Sequence, residues 1–299
     1  MKSTSKTPKI IIAIVAVAYL AGMSLATLYD FQISAFLTRL TEADGIYTVT
    51  YPIPSLILEI VGEWPSTLFG AFCASVIMRA LLKKRKALPC SVCVLLSALI
   101  FYIVFRACKS SAKTLNFIFG GSRTVPDSAM LIIIPITIII SVAAVASVLM
   151  LSQKTVDRLL VPCIVCAAML IILLLGIEIV KISVGRIRFR DLFAAADFSG
   201  FSPWYSPNWF SGNKSFPSGH TANACAMALL PLCFGKDFNE KNPHASTVTY
   251  ITVTLWTVLM AFSRITVGAH YLSDVLTGGL IAFIVVILGH RFMKKIKEA

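Results

Sequence analysis

The stretch Leu159–Lys181, LLVPCIVCAAMLIILLLGIEIVK, decides the fold class. A single acidic side chain, Glu178, interrupts its apolar run before Lys181 closes it. A helix needs about 20 apolar residues to cross the hydrocarbon core of a bilayer. Comparable runs lie on both sides of this one. Together they fall near residues 10–29, 56–82, 88–108, 129–151, 159–181, 218–235, 247–267 and 272–292, eight in all. Lipid offers no partner to backbone N–H and C=O groups, so each run must be helical if it crosses. The composition of the 299-residue chain agrees, with 57% hydrophobic and 14% charged residues. The mean hydropathy is +0.83. Soluble domains average about 25% charged residues. A disordered chain, a small disulfide scaffold and a soluble globular domain are thereby excluded. The expected fold class is all-α, a polytopic membrane helix bundle of about eight transmembrane helices. The first run lacks a clear small-residue cleavage site and is longer than a signal-peptide core, so it reads as an anchor. The second is overlong and carries Glu59 and Glu63. It reads as an interfacial lead-in followed by a buried part from Trp64-Pro65.

The net charge of +13 points to membrane topology rather than to nucleic acid, because Lys and Arg collect in cytoplasmic loops. With the N-terminus inside, the inward segments hold Lys2, Lys6, Lys9, Lys83, Lys84, Arg85, Lys86, Lys154, Arg158, Lys236, Lys241, Arg291, Lys294, Lys295 and Lys297. The outward segments hold Arg39, Lys109, Lys113, Arg123, Arg186, Arg188, Arg190 and Lys214. Fifteen against eight favours both termini inside and an even number of spans. The long loop near 182–217 then faces outward. It carries Phe189, Phe193, Phe198, Phe201, Trp204, Tyr205, Trp209, Phe210 and Phe216, a composition suited to an interfacial anchor.

Three clusters fall at outward helix ends: KISVGRIRF (Lys181–Phe189), PSGH (Pro217–His220) and SRITVGAHYLSD (Ser263–Asp274). Their chemistry converges on an anionic phosphate. Lys181 and Arg188 are seven residues apart and would share a face if the helix continued. Arg264 adds a guanidinium able to bind phosphate oxygens in a bidentate manner. Pro217 suits a helix start, and Ser218 and Gly219 would offer a hydroxyl and N–H groups there. His270 and Asp274 are four apart, so the carboxylate can orient the imidazole. His220 supplies a second imidazole, allowing one histidine to attack while the other protonates a leaving oxygen. Each feature taken alone has a plainer reading. Lys181 would pair with Glu178 one turn back, Arg264 would snorkel, PSGH would merely start a helix, and His270–Asp274 would be a structural hydrogen bond. Ionisable groups gathered at matching positions near the membrane argue for function, because such groups are costly there.

These residues resemble the type 2 phosphatidic acid phosphatase superfamily, which includes membrane lipid phosphatases, glucose-6-phosphatase and vanadium haloperoxidases. The family pattern is Lys, six residues, Arg-Pro; then Pro-Ser-Gly-His; then Ser-Arg, five residues, His, three residues, Asp. The second and third blocks match in full. The first has Phe189 in place of proline, which leaves both cations and alters the turn after Arg188, where Arg186 or Arg190 could share the phosphate. The resemblance covers roughly residues 160–292 and implies a phosphatidic acid phosphatase/haloperoxidase-like helical core. It divides the chain into residues 1–158, N-terminal transmembrane helices with four spans, and 159–299, a catalytic core with four more. It also implies roles. His270 would be the nucleophile, forming phosphohistidine, with Asp274 orienting it. His220 would be the general acid and later the base for water. Lys181, Arg188, Ser218, Gly219 and Arg264 would bind the phosphate. No metal or other cofactor is expected. An outward site at membrane depth suits a membrane lipid substrate, either a polyprenyl diphosphate of the undecaprenyl type or phosphatidic acid. The compact loops suggest a cell membrane, with both termini cytoplasmic. A transporter or flippase that binds phosphorylated lipid without hydrolysis is the rival reading, and a haloperoxidase using bound vanadate is a distant third.

Two further segments echo each other, PCSVC (Pro89–Cys93) and PCIVC (Pro162–Cys166). A four-thiolate zinc site from the two pairs is conceivable, though Cys commonly packs as a small hydrophobe in helices.

Overall fold

The computed structural model describes residues 7–43, 46–83 and 87–298. Lys2, Lys6, Lys84, Arg85 and Lys86 of the charge tally lie outside the described residues, as do the side chains of Lys9, Cys90 and Lys236. The elements run α1 (Thr7–Leu37), the hairpin strands β1 (Thr41–Ala43) and β2 (Ile46–Thr48), α2 (Ile53–Val61), α3 (Trp64–Leu82) and α4 (Ala87–Ile118). A short 3₁₀ turn leads into α5 (Met130–Leu149), followed by α6 (Gln153–Val184), α7 (Phe189–Ala194), α8 (Gly219–Ala226), α9 (Lys236–Lys241), α10 (Ala245–Thr266) and α11 (Leu272–Glu298). Among the described residues, seven helical segments are long and apolar enough to cross a membrane. Their outer faces carry exposed apolar side chains such as Val17, Ile139, Ile172 and Leu255, the pattern of helices whose solvent is lipid.

The sixth apolar stretch, expected as a span over 218–235, is not among those seven. It forms α8 and then a 3₁₀ segment, Met227–Cys233, that carries Pro231. Together the two rise about 26 Å, close to the thickness of a hydrocarbon core. The segment is walled in by α3, α6, α10 and α11. Ala222, Ala226 and Leu229 pack in the main core with Phe69, Cys73 and Val76 of α3, Cys163, Cys166 and Leu173 of α6, and Ala282 and Val285 of α11. Small residues let the surrounding helices close on it. At Gly278 of α11 an added Cβ would stand 2.3 Å from the carbonyl oxygen of Ser218, so backbone meets backbone at the start of α8. The sixth element therefore crosses the bundle as a buried pillar.

The long α6 has local reasons for both ends. Ser152 caps it by accepting the Thr155 N–H at 3.2 Å. Gly185 ends it at φ +57, a left-handed geometry that suits glycine, and donates its N–H to the Lys181 carbonyl at 2.9 Å. The helix thus stops before Arg188, so Lys181 and Arg188 do not share a helical face as the spacing suggested. The overlong second run is two helices, α2 and α3, broken at Gly62-Glu63. In its first part Glu59 is buried inside the protein. The aromatic loop also departs from a simple anchor. Phe189, Phe198 and Phe201 surround Phe31 of α1 at 5.4, 5.6 and 5.3 Å between ring centroids, while Tyr205, Trp209 and Phe210 are exposed.

The close approach at Gly278 yields a test. Gly278→Ala forces the start of α8 away from α11, and such overpacking costs about 1–3 kcal/mol. The expected result is a lower midpoint of thermal unfolding in detergent. Gly176→Ala, where nothing lies within 4 Å of the added carbon, should leave that midpoint unlowered.

Candidate active site

One end of the bundle gathers all three sequence clusters. The C-terminus of α6, the start of α8, the end of α10 and the start of α11 meet there. Asp274, in the first turn of α11, is fully buried. Its Oδ2 accepts from Ser215 Oγ at 2.6 Å and from the Tyr271 N–H at 2.9 Å. Its Oδ1 accepts from Arg186 Nη1 at 2.8 Å. His270 stands just before α11, with Nδ1 2.6 Å from the Ser215 carbonyl oxygen and 3.5 Å from Asp274 Oδ2. A carbonyl can only accept, so Nδ1 carries the proton and Nε2 keeps its lone pair. Burial lowers the His270 pKa to about 4, although Asp274 pulls it upward; the Arg264 and Arg188 charges add to the lowering. The ring is neutral at neutral pH, the form a nucleophilic nitrogen requires.

The cations divide into two sets. Arg186, named beside Arg188 as a possible phosphate ligand, is committed elsewhere. It is 1% exposed, pairs with both Asp274 and Asp30 of α1 at 2.8 and 2.9 Å, donates to the Ser202 carbonyl at 2.8 Å, and stacks 3.8 Å over the Tyr271 ring. The second set is less spent. Arg188 Nε, Arg190 Nε, and Arg264 Nε and Nη1 are buried without a hydrogen-bond partner. The Arg188 pKa falls to about 10, from burial first and then from the Arg190 and Arg264 charges. Buried donors without a partner cost free energy, and an oxyanion is the group that satisfies several guanidinium edges at once. Lys181 makes the expected pair with Glu178 at 2.9 Å, and its Nζ also lies where a Cβ on Gly219 would come within 3.3 Å, so it reaches the start of α8 as well. Ser218 caps α8, its Oγ accepting from Thr221 Oγ1 at 3.0 Å. Accepting in this way leaves the hydroxyl's own proton to be donated.

Phe189 replaces the family's proline without loss of form. Arg188 is the cap of α7 and Phe189 its first residue, the helical position that proline favours because no N–H bond is needed there. The Phe189 ring is fully buried and packs against Tyr271 at 6.3 Å.

The motifs did not disclose the carboxylates of the N-terminal helices. Glu59 of α2 accepts from Arg264 Nη2 at 2.8 Å, Arg190 Nη1 at 3.0 Å and Arg123 Nη1 at 3.0 Å. Glu63, between α2 and α3, places Oε1 3.6 Å from His220 Nδ1. Asp30 accepts from the Ser273 N–H at 3.0 Å and from its hydroxyl. Ser215 was likewise missed, lying two residues before Pro217. The one hint in sequence was acidic residues within apolar runs, which are costly in a membrane. Of the two CxxC pairs, the side chain of Cys90 lies outside the described residues. Cys163 and Cys166 meet Cys73 and Cys233 in the core, while Cys93 donates to the Met78 carbonyl at 3.8 Å. Among the described residues, no group of three or more His, Cys, Asp or Glu is arranged to hold a metal ion.

Residues 161–298 match the model of the PAP2 superfamily. That part of the chain belongs to the superfamily. This PAP2 core holds every residue of the three clusters. Phosphatidylglycerophosphatase B of Bacillus subtilis is 32% identical over 97 residues, 32% of this chain and 47% of the relative. The protein of the same name from Haemophilus influenzae is 32% identical over 81 residues, 27% of this chain and 33% of the relative. Lipid A 1-phosphatase of Rhizobium johnstonii is 33% identical over 107 residues, 34% and 35% of the two chains. The matches thus span between a third and a half of these relatives. No solved structure matches the chain.

The burial of His270 has a measurable consequence. In detergent-solubilised protein carrying ¹⁵N-labelled histidine, the His270 ring should titrate with a midpoint near 4. Asp274→Asn removes the charge that favours the imidazolium, so the midpoint should move lower still. A midpoint at the ordinary value near 6.5 would show that the ring is not enclosed.

Proposed function

We propose that the protein is an integral membrane phosphatase that hydrolyses a phosphate monoester or diphosphate of a lipid through a phosphohistidine on His270. The observation that carries this reading is the hold on His270 Nδ1 by Ser215 and Asp274, which leaves Nε2 as a nucleophile beside unpartnered guanidinium groups. Nε2 attacks phosphorus, and the bond to the leaving oxygen breaks. His220 donates its proton to that oxygen. A water then gives a proton to His220 and attacks the phosphohistidine, the P–N bond breaks, and inorganic phosphate leaves. Arg188, Arg264 and Lys181, with the N–H groups at the start of α8, stabilise the charge gathering on the equatorial oxygens. An incoming phosphate also adds negative charge beside His220, which favours its protonated form.

The depth of the site supports a lipid substrate, whose phosphate sits at the interface while its tail stays in the bilayer. A cavity of about 450 Å³ between α1 and the aromatic loop, lined by Thr27, Phe31, Phe198, Phe201 and Tyr205 among others, extends to Asp30 and supports entry from the flank. The names of the relatives favour glycerophospholipid or lipid A phosphates; a polyprenyl diphosphate and phosphatidic acid fit the same site. The excess of Lys and Arg at the opposite end supports a plasma-membrane protein with cytoplasmic termini and an outward-facing site.

The test is phosphate release by purified protein in detergent over phosphatidylglycerophosphate, phosphatidic acid, polyprenyl diphosphate and glucose 6-phosphate. At least one lipid should be hydrolysed, with no loss on adding a chelator, because the steps are carried by side chains. His270→Ala should abolish release, and His220→Ala should lower it by about 10²–10⁴-fold, the usual worth of a general acid. Full activity in His270→Ala would reject the mechanism. Substrate movement across vesicles without phosphate release would favour a transporter.

A further inference from the structure

His270 has a carboxylate four residues ahead of it in the chain. His220 has none nearby in sequence, yet the fold brings it one from the N-terminal half. Glu63 Oε1 lies 3.6 Å from His220 Nδ1, and both side chains are mostly enclosed. The other ring nitrogen, Nε2, is buried without a partner. Glu63 is tied by its own backbone. Its carbonyl accepts from Ser66 Oγ and from the Thr67 N–H, each at 3.0 Å, so the main chain at the break between α2 and α3 is held where its carboxylate can reach His220. The groups facing Glu63 are Arg106 of α4, Lys181 and Glu178 of α6, and Arg264 of α10. Those facing His220 include Arg264, Glu59, His270 and Lys181.

We infer that Glu63 is a positioning residue for His220, and this rests on the phosphatase reading above. Glu63 holds the Nδ1 proton on one side of the ring and aims Nε2 at the leaving oxygen. The Nδ1 proton stays on His220 throughout. The Nε2 proton passes to the leaving oxygen and is replaced from water, so Glu63 ends each cycle as it began. The site then has two imidazole–carboxylate pairs, one within the PAP2 core and one reaching it from outside residues 161–298. The N-terminal helices would accordingly be part of the catalytic apparatus, beyond their role as a membrane anchor. Long catalytic contacts of this kind commonly shorten when substrate binds.

Leaving-group dependence separates this role from a merely structural one. Full-length wild type, Glu63→Gln and Glu63→Ala are assayed on dodecyl phosphate, whose alkoxide must be protonated, and on 4-nitrophenyl phosphate, whose phenolate leaves unaided. The quantity read is the ratio of kcat on the two substrates, measured on each preparation, so partial loss of folded protein cancels. Both variants should lower the dodecyl-to-nitrophenyl ratio by about 10-fold or more, within the range a general acid supplies. His220→Ala should lower it at least as far, and adding Glu63→Gln to His220→Ala should change it no further. An unchanged ratio in Glu63→Gln, or a further fall in the double variant, overturns the inference. If His220→Ala itself leaves the ratio unchanged, the general-acid assignment fails and takes this inference with it.

Discussion

The ion pair between Arg186 and Asp274 is the constraint on which the site depends. Both side chains are enclosed, and neither would be tolerable there alone. Removing one partner of a buried pair costs about 3–5 kcal/mol, because the other charge is left without compensation. Asp274 in turn fixes the Ser215 hydroxyl and the Tyr271 N–H, and its own carbonyl accepts from the Ser218 N–H at 2.9 Å. One residue thus sets the orientation of His270, the start of α8 and the end of the aromatic loop. Arg186 extends the grip to α1 through Asp30. The helix packing positions these groups, and the paired charges decide where the packing stops.

The three clusters were legible because their information is local. PSGH starts a helix, and His270–Asp274 straddles the entry to another, so spacing along the chain is nearly spacing in space. What escaped is non-local. Glu59 meets Arg264 across 205 positions, and Asp30 meets Ser273 across 243; no periodicity announces such a contact. Arg186 and Arg188 look alike in sequence. The left-handed turn at Gly185 sends one inward to Asp274 and leaves the other unpaired among cations. The sixth apolar run forms a short α-helix followed by a 3₁₀ segment walled in by protein, which hydropathy does not foretell, because it registers burial without saying whether lipid or protein does the burying.

Glu59 shows how such a cationic site stays folded. Three guanidinium groups converge on its carboxylate, which offsets repulsion that would otherwise press α7, α10 and the loop after α4 apart. It takes only one edge of Arg264, leaving Nε and Nη1 without a partner. The counter-charge therefore steadies the arginine while part of its hydrogen-bonding surface stays open to an anion.

The order in which partners appear along the chain bears on biogenesis. Asp30 and Glu59 emerge from the ribosome early, whereas Arg186, Arg264 and Ser273 follow much later. Until then Asp30 lacks Arg186 and Ser273, and Glu59 has Arg123 alone of its three guanidinium partners, while hydrocarbon penalises bare carboxylates. The last of these partners stand on the final pair, α10 and α11. The acids at the front of the chain thus acquire their full complement of partners only when its last two helices have been made.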